Sequence, residues 1–104
     1  MALPDLILPQ ATDNVIQSAD IALVGGVAVS VPAYMDAQLG DLICAVWGDI
    51  RRAASVITDV NEAFPVVFLI PDDLTAIGQH RVSYYMIDNA GNVASSDIVT
   101  VTIE

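Results

Sequence analysis

The sequence predicts an all-β domain, a sandwich of two sheets made of about seven short strands. Three observations predict it. Residues 27–31 alternate strictly, with Val27, Val29 and Val31 on one face and Ala28 and Ser30 on the other. That period of two is what a half-buried strand imposes on its side chains. Near the end of the chain, two β-type runs flank the turn-forming stretch Asp88-Asn89-Ala90-Gly91-Asn92, which reads as a terminal antiparallel hairpin. No helical apolar period of about 3.6 residues is sustained anywhere.

The elements follow in order. Residues 3–8 form a short apolar run with Pro4 and Pro9 at its edges. Proline lacks the N–H a central strand needs, so this is a first edge strand or an extended lead-in. Residues 10–20 are polar and read as a loop, with a short edge pairing near Val15 and Ile16. Gly25-Gly26 opens the alternating strand and Pro32 ends it. Gln38-Leu39-Gly40-Asp41 reads as a turn, followed by an almost wholly apolar strand over 42–47 that Gly48-Asp49 closes. Residues 50–60 are a weaker strand candidate, with Arg51-Arg52 at its start. Residues 64–70 alternate Phe64, Val66, Phe68 and Ile70, and stop at Pro71. Pro71-Asp72-Asp73-Leu74 suits a single helical turn, since proline is tolerated at a first helical position and acids favour a helix N-terminus. Residues 81–88 and 94–103 are the final strand pair.

With 104 residues, the chain reads as one domain, 1–104, with a single core. It is 55% hydrophobic and only 15% charged. Thirteen acidic residues face three arginines and no lysine, a net charge of −10. This argues against nucleic acid or an anionic membrane surface as partner; the simplest role of the charge is to keep an apolar β-protein in solution. Cys44 is the single cysteine, so no intrachain disulfide can form. It lies in an apolar run and reads as a small buried or half-buried hydrophobe with no base beside it. Met1-Ala2-Leu3-Pro4 has neither a positive region nor a long apolar segment, so no export signal is read there. The longest apolar stretch, 21–35, is broken by Gly25, Gly26 and Pro32 and is too short to span a bilayer. No membrane insertion is expected. A strand that continues to the final residue suggests a domain cut from a longer, multi-repeat protein.

Alternation assigns the core to Val27, Val29, Val31, Ile43, Ala45, Trp47, Val66, Phe68, Ile70, Val82, Tyr84, Met86, Val99, Val101 and Ile103. Each large side chain contributes about 1.5–3 kcal/mol when fully buried. The opposite faces are unequal. Ala28, Ser30, Thr100 and Thr102 suit solvent, whereas Leu42, Cys44, Val46, Tyr85 and Ile87 do not. If their strands are neighbours, these five place an apolar band on the outside of one sheet. That band is the candidate interaction face, to be covered by a loop, a next domain or another copy.

Candidates for chemistry are few. His80 is the single histidine and reads as a surface residue rather than a base or ligand. Ser83, Ser95 and Ser96 lack a nucleophile-elbow motif, and Gly25-Gly26 lacks a phosphate-loop context. Asp88, Asn89 and Asn92 are the candidate calcium ligands, since calcium prefers clustered oxygens. Their spacing is not that of an EF-hand, and the same residue types are what a tight turn requires; turn chemistry is the preferred reading. No catalytic residue, cofactor or enzymatic activity is expected.

Taken in order, Gly26-Val27 through Val31-Pro32-Ala33-Tyr34, then Leu39-Gly40-Asp41 with Ile43, Ala45 and Trp47-Gly48, then Phe68 and Ile70-Pro71, and last Tyr84, Met86, Asp88 and Ala90-Gly91-Asn92, form a pattern over nearly the whole chain. It resembles an immunoglobulin-like repeat of large bacterial surface proteins. Leu3-Pro4 and Val101-Thr102-Ile103 fall where such repeats begin and stop. Cys44 and the unusually apolar 42–46 segment are departures from it. The resemblance implies an immunoglobulin-like sandwich, a non-catalytic structural or adhesive role, a cell-surface or secreted location, and adjacent repeats of the same polypeptide as partners, with a host or surface ligand beyond them. The alternatives are a carbohydrate- or protein-binding module and an accessory domain of a secreted enzyme.

Overall fold

The computed structural model describes residues 3–34 and 37–104. Met1, Ala2 and Met35, which begin the chain and close its longest apolar stretch, lie outside the described residues. The described chain is all-β apart from one short helix and a 3-10 turn, and its strands form two sheets. The larger sheet has β1 (Val15–Ile16), β8 (Val99–Ile103), β6 (Gly78–Ile87), β3 (Leu42–Trp47) and β4 (Ile50–Val56) in that spatial order, with β7 (Val93–Ser95) also beside β6. The smaller pairs β2 (Gly26–Val31) with β5 (Val66–Pro71). All neighbours are antiparallel except β1, which runs parallel to β8.

Period-two patterning accounts for the core. Of the fifteen residues assigned inward by alternation, all are buried except Val66 and Val99, which are half-buried and pack against the rim. Leu3, Leu6, Leu8, Ile16, Ile21, Tyr34 and Ile57 join the same cluster from the lead-in, the helix and the connections. Cys44 is fully buried, as expected of a small hydrophobe.

Four local expectations need correction. Residues 18–24, expected as the end of a loop and the start of an apolar stretch, form the helix α1 (Ser18–Val24). Only Ile21 of that helix is buried, and two turns are too few to write an apolar period into the sequence. The strand expected over 94–103 is broken into β7 and β8. Ser96 causes the break: its hydroxyl accepts from the Tyr84 N–H at 3.0 Å and its own N–H donates to the Tyr84 carbonyl at 2.9 Å. Ser30, expected in solvent, is buried, because the lead-in runs antiparallel beside β2 and Ile7 exchanges both backbone bonds with Ser30 at 2.8 Å. The weak strand candidate at 50–60 stops at Val56.

Two close approaches explain residue choices. A Cβ on Gly26 would stand 2.1 Å from the Ile70 carbonyl oxygen, so only glycine lets β2 begin against β5. Gly48 and Asp49 both have positive φ, 62° and 68°, and join Trp47 to its partner Ile50. This is the two-residue turn whose twist matches a hairpin. The 3-10 turn forms at Asp72–Leu74 immediately after Pro71, close to the expected place.

Candidate interaction surface

Registration brings the expected apolar band together. Leu42 pairs with Ile87, and Cys44 with Tyr85. On the flanking strands Leu42 also meets Val56 and Ile87 also meets Val93. The result is a row of four branched side chains, Val56, Leu42, Ile87 and Val93, across four strands on the outer face. Its centre is half-buried by its own neighbours, while Val56 and Val93 at its ends are 52% and 62% exposed. Val46 lies on the same face opposite Ser83. Sequence reasoning missed Val56 and Val93, because neither sits in an alternating run.

A register shift between Ala45 and Val46 places two β4 residues against one of β3, the signature of a β-bulge. It sets Arg51 opposite Val46. Both Arg51 and Tyr85 hold their protons more tightly than usual, the Cys44 sulfur being the first cause in each case. Cys44 therefore points to the outer face of the sheet yet is fully buried.

The other candidate residues are engaged in structure. The His80 ring stacks on Trp47 with centroids 4.9 Å apart and planes at 28°. Its Nε2 lies 2.6 Å from the Ala76 carbonyl, and the Trp47 indole donates to the Leu74 carbonyl at 2.9 Å. The histidine is half-buried and closes one end of the core. In the 88–92 turn, Asp88 Oδ1 accepts from the Ala90 and Asn92 N–H groups, both at 2.9 Å, and Oδ2 from Asn92 Nδ2 at 3.1 Å. These donors hold its carboxyl below the usual carboxylate range, the Asn92 backbone bond first. Asn89 turns away and donates to the Leu39 carbonyl at 2.8 Å. The three calcium candidates thus do not converge on a common point; the arrangement is an Asx-type turn. Among the described residues, no group of three or more His, Cys, Asp or Glu is placed to hold a metal.

Open grooves mark the surface of the described residues. One, of about 390 Å³, lies between the edges of β4 and β5 and is lined in part by Ile57, Asp59, Glu62 and Val67. The second, of about 440 Å³, lies along the lead-in near Asp5, Asp13 and Asn14. Among the described residues, no helix is long and apolar enough to cross a membrane. No protein-family model, curated protein or solved structure matches this chain.

Proposed function

We propose that this domain is a non-catalytic structural repeat of an immunoglobulin-like surface or secreted protein, strung with neighbouring copies along one polypeptide. The polarity of the fold carries this reading. Ile7 pairs antiparallel with Ser30, so the lead-in starts near the Val31 end of β2 and runs toward its Gly26 end. Glu104 lies at that other end, where its carbonyl accepts from the Ser18 N–H at 2.7 Å and its N–H donates to Ile16 at 3.0 Å. Residues 3 and 104 therefore sit toward opposite ends of a body measuring 40 × 22 × 22 Å, the layout a linear array requires. The strand order supports the same reading: β8-β6-β3-β4 follows the G-F-C-C′ order of an immunoglobulin-like sheet, facing β2 and β5 as B and E. Fold alone does not assign a role, but the engagement of His80 and Asp88 in packing and turn bonds fits a part without chemistry.

A second reading, a module that binds a protein or a carbohydrate, is favoured by the outer row Val56, Leu42, Ile87 and Val93. Antibody labelling of intact source cells separates a surface role from an internal one. Labelling without permeabilisation supports the proposal; labelling only after permeabilisation, with none in the medium, contradicts it.

A further inference from the structure

The two edges of the small sheet are treated differently. Ser30 spends its N–H and carbonyl on Ile7. The Gln10 side chain acts as a further strand residue, accepting from the Ala28 N–H at 2.8 Å and donating to the Gly26 carbonyl at 3.1 Å. Gly26, Ala28 and Ser30 thus point their backbone groups away from β5, and Val27, Val29 and Val31 point theirs toward Ile70, Phe68 and Val66. Alternation then turns the N–H and carbonyl of Val67 and Leu69 outward. Among the described residues these two make no backbone bond on that side. Their side chains are 59% and 49% exposed. An open strand edge is a template for another strand.

We propose that the β5 edge accepts a short extended segment of a partner polypeptide, with branched apolar residues at alternate positions and basic residues at its ends. Length follows from Pro65 and Pro71, which bracket the strand and cannot donate to a longer ladder. Side-chain type follows from the groove between β4 and β5, into which every second residue of an added strand would point, over Ile57 and Val66. Charge follows from the acids at both ends of the edge: Asp59 and Glu62 line the groove beside Val66 and Val67, and Asp72 and Asp73 follow Pro71. A second copy of this chain fits poorly, because antiparallel pairing of two β5 edges sets Asp59 and Glu62 of one copy against Asp72 and Asp73 of the other. The inference stands on this edge alone and does not depend on the array reading above.

The test uses a capped peptide of alternating valine and threonine flanked by lysines, and its glutamate-flanked counterpart, with amide exchange of the whole domain followed by NMR. The lysine peptide should slow exchange at Val67 and Leu69 selectively and bind about tenfold more weakly when salt is raised to screen the ends. The glutamate peptide should do neither. Leu69→Pro removes one outward N–H without touching the β2 ladder and should abolish binding. Should that variant fail to fold, Asp59→Asn with Glu62→Gln serves instead and should weaken the lysine peptide only. Equal effects of the two peptides, protection that maps to the Leu42–Ile87 face, or protection of Val67 and Leu69 by self-association without peptide would each overturn the proposal.

Discussion

Tyr34 and Asp41 hold each other inside the protein: the phenol donates to Asp41 Oδ2 at 2.8 Å, and Asp41 is 1% exposed. The Gln38 N–H donates to the same oxygen at 3.0 Å, while Oδ1 has no partner among the described residues. A buried carboxyl group depends strongly on the hydrogen bonds it makes. The pair ties the connection after β2 to the start of β3, and the Tyr34 ring meets Phe64 edge-on at 5.2 Å, linking it to the approach to β5.

Tyr34→Phe keeps the ring contact and deletes only the hydroxyl. It should cost about 1–3 kcal/mol, the cost of removing one partner from a buried polar group. Urea unfolding measures it as a lower midpoint at an unchanged slope. A midpoint equal to that of the parent would show that the bond contributes nothing.

Alkaline stability should follow the buried phenols. Burial first, and the bond to Asp41 second, push the Tyr34 phenol above the ordinary tyrosine range. Burial first, and the charge of Asp5 second, push Tyr84 up to about 12; the Tyr84 hydroxyl also donates to the Pro4 carbonyl. Both groups keep their protons in the fold at pH values where the unfolded chain has lost them. Stability is thus fully present below the unfolded value of 10.0 and falls as pH rises from there toward the folded values. Each phenol steepens the fall by about 1.4 kcal/mol per pH unit. Tyr34→Phe should remove one such increment from the slope above pH 10, and an unchanged slope would contradict the account.

The 88–92 turn predicts an acid dependence and no calcium dependence. The Asp88 carboxyl titrates below its ordinary value of 3.8, so its contribution is present above that pH and is lost as pH falls through the lower folded value. Asp88→Asn should lower the melting temperature at neutral pH and flatten the acid limb below pH 3.8. Millimolar calcium should leave the melting temperature of the parent unchanged. A calcium-dependent rise that Asp88→Asn removes would restore the metal reading.

What was legible in the sequence was whatever a single strand face decides. Val27, Val29 and Val31, or Val82, Tyr84 and Met86, carry a period of two because one side of each strand meets the core. The band from Leu42 to Ile87 was legible for the same reason, since apolar residues on both sides of a strand announce themselves. What depends on a distant partner was not. Ser96 interrupts the last strand through Tyr84, twelve residues away. Asp41 reads as a turn residue until Tyr34 is placed above it, and Gln10 reads as loop until its amide is seen closing the edge of β2. His80 reads as a surface residue because its stacking on Trp47 crosses from β6 to β3.

Small-angle scattering of two copies joined as one polypeptide separates the end-to-end arrangement proposed above from a compact one. In the end-to-end arrangement the maximum dimension should be close to twice the 40 Å length of one domain at an unchanged cross-section. A particle no longer than a single domain but with a doubled cross-section would mean that the copies pack side by side, and would contradict it.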